Sequence, residues 1–337
     1  RNVIALHIGF ENPAEEHRRR KLELCRARRR LRDHSDLFDI TTAEFQSLYR
    51  MPQHVMVVLC SVAFYASGSY QRPLGQDVNH NLGQGTVSKA VKEVTDIFNH
   101  PDVLITFIRF PDTAEERNAM IQRYVYCQCT LRYVDGTLVN IVPPPRPNQH
   151  YRSRKGFAAL NVLLVCNVSL EIIYCNARFP GSSTDPYIYR NSPLRDALRD
   201  AYRESNCCVL GDSGFPHEPW LMGPLSLAPR GTPEYSYTKL HMKCRNVVER
   251  CIGVLKNRFR CLLWDRTLHC RPGKAGKIVN ACVVVHNFLV ARRIVNPPPV
   301  FEGLGNDAPE PDYDLDAPLN AEADAMRAAC STYGTCP

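Results

Sequence analysis

The spacing of apolar and polar residues changes character along this chain. Residues 53–67 read as a helix that ends at Ser67-Gly68-Ser69. After Arg72–Asn79 and a turn at Asn81–Gly83, Val87, Val91, Val94 and Phe98 recur at helical spacing within Gly85–Phe98. Thr86, Ser88, Lys89 and Lys92 then fall on the outward side of that helix. The run DTAE (Asp112–Glu115) resembles a capping box and opens a further helix through about Tyr126.

Beyond that point the pattern shortens. Leu131 and Tyr133 alternate with Arg132 and Val134 as in a strand, until Asp135-Gly136 interrupts it. The runs NVLLVC (Asn161–Cys166) and EIIYC (Glu171–Cys175) are apolar enough for central strands, joined by a tight turn at Val168-Ser169-Leu170. Cys207–Leu210 read as a short buried strand that Gly211 ends. The stretch 192–205 is helix-like. In 238–262, Val248, Cys251/Ile252, Leu255, Phe259 and Leu262 form the apolar stripe of an amphipathic helix.

Four acids carry the candidate chemistry. Asp212 follows the strand 207–210, and Gly214 and Pro216 then turn the chain; a carboxylate at a strand end suits metal-assisted chemistry, while a turn aspartate capping its own loop suits the same residues. Asp135 interrupts the first strand. Asp185 lies on the Pro/Gly/Ser loop FPGSSTD (Phe179–Asp185), ahead of the helix at 192–205. Glu249 sits on the shoulder of the apolar stripe, with Arg245 four residues before it, Gly253 four after and Lys256 seven after. A carboxylate there can reach into a cleft or form an ordinary i,i+4 ion pair with Arg245.

Charge is unevenly spread. The net +8 combines a tail after Val295 of net −7 with 295 preceding residues of net +15, the excess of a polyanion binder. The tail, rich in proline and acid, reads as disordered and suited to compete with DNA for the basic surface. Residues 18–32 hold nine Lys or Arg, beginning with Arg18, Arg19, Arg20 and Lys21. They read as a nuclear localisation signal or a phosphate-gripping arm, or as a solvated, partly helical face. The segment 72–98 likewise reads as a helix-turn-helix, with Lys89 and Lys92 toward DNA, or as a plain helical hairpin. The fifteen cysteines are scattered, without a pair of CxxC knuckles, and read as small apolar residues. The longest apolar run, Val55–Ala66, is too short to span a bilayer, so no membrane contact is expected. No signal-peptide pattern is present, and reduced thiols in the nucleus or cytoplasm are the expectation. The chain opens on Arg1, not Met, and its natural N-terminus is expected to lie upstream.

Five motifs in order, VDGT (Val134–Thr137), YRSRKG (Tyr151–Gly156), FPGSSTD, LGDSGF (Leu210–Phe215) and VERCIGVLKNRFRCL (Val248–Leu262), resemble the PIF/Harbinger family of DDE transposases and their animal nuclease derivatives from about Met51 to Arg293. That resemblance implies an α/β chain: a ribonuclease H-like catalytic core after a small all-helical, helix-turn-helix-like domain. The expected division is a basic arm (1–40), the helical domain (41–126), the nuclease domain (127–295) and the acidic tail (296–337). By resemblance Asp135, Asp212 and Glu249 match the catalytic triad, Asp185 an additional acid near the metal, and Mg²⁺ or Mn²⁺ the cofactor, with DNA phosphodiester cleavage and a capacity for strand transfer as the activity. Arg18–Lys21, Lys89, Lys92, Arg245 and Lys256 are the candidate DNA contacts. The family further implies a separate Myb-like DNA-binding partner, and action on two DNA ends favours at least a homodimer.

The chain also departs from the family pattern. Leu138 stands where relatives carry His, and Asn167 where they carry an acid. A domesticated DNA-binding protein without chemistry is therefore the alternative reading.

Overall fold

A computed structural model describes residues 17–23, 26, 41–49, 52–68, 83–122, 130–145, 149–205, 207–225 and 229–294. The chain divides into two compact units, Arg1–Phe64 with Ser69–Val94, and Tyr65–Gly68 with Thr95–Pro337.

The smaller unit contains helical turns at 17–23, helix α1 (Thr42–Tyr49), most of α2 (Gln53–Ser67) and most of α3 (Gln84–Phe98). A reciprocal cap starts α1: the Thr41 backbone N–H donates to Glu44, and the Glu44 N–H donates to the Thr41 hydroxyl. Val87, Val91 and Val94 of α3 are buried as their spacing predicts, and Lys89 and Lys92 are exposed. Thr86 departs from expectation, being only 3% exposed. Residues 69–82, which would complete a helix-turn-helix, lie outside the described residues, so that motif is not confirmed. The acidic tail and most of the basic arm also lie outside them.

The larger unit is mixed α/β. Its elements run α4 (Pro101–Phe107), α5 (Ala114–Gln122), β1 (Thr130–Asn140), β2 (Ala159–Cys166), β3 (Ile172–Pro180), α6 (Asp185–Arg190), α7 (Leu194–Ser205), β4 (Cys208–Leu210), β5 (Leu221–Met222), α8 (Pro233–Arg258) and α9 (Pro272–Ala291). The cap of α5 is Thr113, whose hydroxyl accepts from the Glu116 N–H, one residue later than the DTAE reading. The five strands lie in the order β3-β2-β1-β4-β5, with β2 antiparallel to β1 and β3, and β4 and β5 parallel to β1. This arrangement is consistent with the expected ribonuclease H-like core.

The sheet is covered on both faces, which explains why β2 is apolar and buried along its whole length. On one side Val134, Leu163, Val165 and Val209 pack with Ile188, Tyr189, Leu194 and Leu198 of α6 and α7. On the other, α9 lies close along β3: a Cβ at Gly276 would stand 2.7 Å from the Ala177 carbonyl oxygen. Asn287 of α9 accepts from the Ile172 N–H and donates to the Ile172 carbonyl. Helix α9 is long and apolar enough to cross a membrane, yet its polar side chains Asn280, His286 and Asn287 bond within the protein, as a core helix requires.

The β2–β3 connection is the hairpin the sequence predicts, closed by Leu170 N–H on the Asn167 carbonyl, with Leu170 in the left-handed region at φ 65°. Asn167 Oδ1 accepts the Ser169 and Glu171 N–H groups and its amide donates to the Glu171 carboxylate, a bond that an acid in its place could not make. Seven buried cysteines (Cys60, Cys166, Cys207, Cys208, Cys251, Cys261, Cys282) pack as small apolar residues.

Candidate active site

The strand β1 does not stop at Asp135. It continues through Gly136 to Asn140, because β2 pairs with it over Tyr133–Asn140 and supplies the ladder that an isolated Asp-Gly would lack. Asp135 therefore sits mid-strand, opposite Leu164, and is 14% exposed. One of its oxygens accepts the Gly136 N–H at 2.9 Å.

The parallel pairing Tyr133↔Leu210 sets Asp212 just beyond the end of the neighbouring strand. The turn reading of Asp212 is seen directly, since one carboxylate oxygen accepts the Gly214 N–H at 2.9 Å, and the residue follows by two positions the strand end that pairs with β1. Gly211 is needed for this turn, since a Cβ there would meet the Phe215 ring at 2.8 Å.

Asp185 is the first residue of α6 and not a loop residue. Asn161 of β2 donates to it at 2.7 Å and also to the Ser183 carbonyl. The side chain lies over Gly136: a Cβ there would fall 2.0 Å from its oxygen. Glycine in the VDGT motif thus provides the space in which the fourth acid rests. Sequence reasoning missed Asn161, although a lone polar residue opening an apolar strand was the available signal.

Asp135 and Asp185 both feel the acids around them. Burial pushes the Asp135 carboxyl up to about 6; Arg245 and the Gly136 N–H oppose that rise, and Asp185 and Asp212 add to it. Burial likewise raises Asp185, the Asn161 hydrogen bond opposes this, and Asp212 reinforces it.

Glu249 comes from α8 and its side chain is 52% exposed. Arg245, one turn earlier, lies 3.4 Å from Glu249 and 3.6 Å from Asp135, so one guanidinium bridges the first and third acids. The Arg245 Nε is buried without a partner. Lys256 is also directed inward: its ammonium donates to the Leu138 carbonyl at 2.9 Å, and burial lowers its pKa to about 8. Of the candidate DNA contacts, Lys256 bonds to the Leu138 carbonyl and Arg245 pairs with Asp135 and Glu249, while Arg18–Lys21, Lys89 and Lys92 are exposed.

As a metal centre, the donor set fits in kind, because carboxylate oxygens on three aspartates and a glutamate suit a hard divalent cation. The side chains as placed stop short of a common centre: among the described residues no three His, Cys, Asp or Glu side chains are grouped closely enough to hold an ion. Arg245 accounts for part of that gap by occupying the space between Asp135 and Glu249.

Residues 134–287 match the family model described as DDE superfamily endonuclease. The chain is 30% identical over 274 residues to the human protein named "Putative nuclease HARBI1", covering 80% of this chain and 77% of that one. It belongs to the Harbinger-derived DDE endonuclease family. All four acids of the site lie inside the matched residues, whereas Arg18–Lys21, Lys89 and Lys92 precede them. The protein of the same name from Xenopus laevis is 28% identical over the same length, and "Protein ALP1-like" of Arabidopsis thaliana is 26% identical over 147 residues, covering 39% of this chain and 35% of that one. A solved structure, the Mos1 strand transfer complex, aligns at 12% identity with a TM-score of 0.18, too slight a likeness to support any structural argument.

Proposed function

We propose that this chain is a metal-dependent DNA endonuclease in which Asp135, Asp212 and Glu249 form the catalytic triad and Asp185 supports it. The observation that carries this reading is the placement of Asp185 over Gly136, next to Asp135 on β1, with Asp212 two residues past the β4 end that pairs with β1 and Glu249 linked to Asp135 through Arg245. Carboxyls raised by burial and by neighbouring acids, as those of Asp135 and Asp185 are, suit a site whose stable form includes a cation.

Asp135, Asp212 and Glu249 would hold Mg²⁺ or Mn²⁺, with Asp185 close by. Such ions, when bound, lower the pKa of a water or 3′-hydroxyl nucleophile and stabilise the leaving oxygen. The rest belongs to the chain. The Gly214 and Gly136 N–H groups orient Asp212 and Asp135, Asn161 fixes Asp185, and Arg245 pairs with Asp135 and Glu249. The activity is phosphodiester hydrolysis with a capacity for strand transfer. The assembly is a nuclear dimer that acts on DNA beside a Myb-like DNA-binding partner.

A second reading, a DNA-binding protein that has lost its chemistry, draws support from the Arg245 bridge and from Leu138 in the first motif. Plasmid nicking by the purified chain in Mn²⁺, beside Asp212→Asn, separates the two. Nicking by the parent and not the variant supports the nuclease. Equal nicking by both, or Mn²⁺ binding by neither, rejects it.

A further inference from the structure

The motif YRSRKG (Tyr151–Gly156) has no role in the chemistry above, yet its structure is specific. An antiparallel bridge pairs Arg152 with Ala158, the Ser153 N–H donates to the Phe157 carbonyl, and the Gly156 N–H returns to the Ser153 carbonyl. Gly156 takes φ +86°, a conformation that other residues adopt with strain. The hydroxyl of buried Ser153 makes no hydrogen bond, so backbone bonds alone define the turn. Its tip presents Arg154 and Lys155, both exposed, with Arg152 exposed at its base.

Hydrogen bonds connect this turn to the acids. The strand that carries it accepts the Gly181 N–H at the Ala159 carbonyl, and the His150 carbonyl accepts the Ser182 N–H. Two residues further along the same strand Asn161 holds Ser183 and Asp185. The turn and the fourth acid are thus parts of one bonded assembly. The charge of Arg154 is felt at Asp185, and that of Lys155 at Lys256 beside β1.

The surrounding surface shows the contrast. Along α7, Arg195 pairs with Glu218, Arg199 with Asp196 and Asp200, and Arg203 with Asp200; in α5, Arg117 pairs with Glu204. Among the described residues, Arg152, Arg154 and Lys155 form no such ion pair. Cations on a hydrogen-bonded turn, outside any ion pair and adjoining a carboxylate site, have the form of a phosphate contact.

We propose that the 152–156 turn is a DNA-phosphate clamp, with Arg154 and Lys155 holding backbone phosphates next to the acid site. This inference rests on the nuclease reading for the position of the scissile bond. It adds a binding element that lies on the catalytic unit itself, independent of the basic arm and of α3.

The test is fluorescence anisotropy of the full chain with a labelled DNA duplex of about 40 base pairs in EDTA, across roughly 50–300 mM KCl. Each lost phosphate contact should reduce the slope of log K against log salt by about 0.9, so Arg154→Ala/Lys155→Ala should reduce it by about 1.8. Arg199→Ala/Arg203→Ala should leave the slope unchanged, and Arg154→Lys/Lys155→Arg should retain it. An unaltered slope in the alanine pair, with its thermal midpoint intact, overturns the clamp. Mn²⁺-dependent nicking is measured in parallel. A reduced slope with nicking indifferent to Asp212→Asn supports the clamp while rejecting the nuclease. An unchanged slope with Asp212-dependent nicking rejects the clamp while supporting the nuclease.

Discussion

Replacing Asp135 with asparagine tests the electrostatics of the site, and the sign of the effect carries the information. The Asp135 carboxyl is raised from 3.8 to about 6, burial outweighing the attraction of Arg245 and the Gly136 hydrogen bond. At 1.36 kcal/mol per pKa unit, the ionised carboxylate costs the metal-free fold up to roughly 3 kcal/mol. The folded state holds its proton where the unfolded chain has released it, so stability falls as pH rises from about 4 through about 6. Asparagine keeps an oxygen for the Gly136 N–H and cannot ionise, but it leaves Arg245 with Glu249 alone. Allowing for that loss, Asp135→Asn should be more stable than the parent by about 1–3 kcal/mol at pH 8 in EDTA, and the difference should vanish near pH 4. Urea unfolding at pH 4, 6 and 8 measures it. A variant less stable than the parent at pH 8, or a difference independent of pH, would show that the Arg245 pair outweighs burial and refute the reasoning. Saturating Mn²⁺ should then stabilise the parent and not the variant, since only a folded site that binds the ion gains from it.

Three further changes follow from the packing. Gly136→Ala places a Cβ 2.0 Å from an Asp185 oxygen, so it should displace that carboxylate, destabilise by about 1–3 kcal/mol and reduce Mn²⁺-dependent nicking at least tenfold; a parent-like rate would remove Asp185 from the site. Asn161→Ala takes away the donor that holds Asp185 and should raise that carboxyl's pKa further, which carbon-detected NMR titration would read as an upward shift. Arg117 is 3% exposed and donates to Ser205, to the Pro111 and Asp112 carbonyls and to Glu204. Arg117→Ala should cost about 2–4 kcal/mol in urea unfolding, with the nicking rate of the folded protein unchanged.

The local elements were legible where one periodicity dominated. Helices at 53–67, 85–98 and 192–205 and strands at 158–168, 171–177 and 207–210 appear within a few residues of their spacing-based positions. Continuous apolar runs were correctly assigned to strands covered on both faces, because helices do cover both. The four acids stood out in the sequence as a strand end, a strand interruption, a Pro/Gly/Ser loop and the edge of an apolar stripe; the strand end and the stripe edge are as read, while β1 runs on past Asp135 and Asp185 opens α6.

What the sequence left undecided depended on partners far along the chain. The extension of β1 past Asp135-Gly136 needs β2, since Asp-Gly alone reads as a turn. The two residues of β5 are too few to show any period, and only pairing with β4 makes them a strand. Lys256 and Arg245 read as DNA contacts by charge, and only the structure shows the bond of Lys256 to the Leu138 carbonyl and the ion pairs of Arg245 with Asp135 and Glu249. Residue type and spacing therefore determined which side chains could do chemistry. The tertiary structure decided which of them meet, because the pairing of Tyr133 with Leu210 and the placement of Asp185 over Gly136 join segments tens of residues apart.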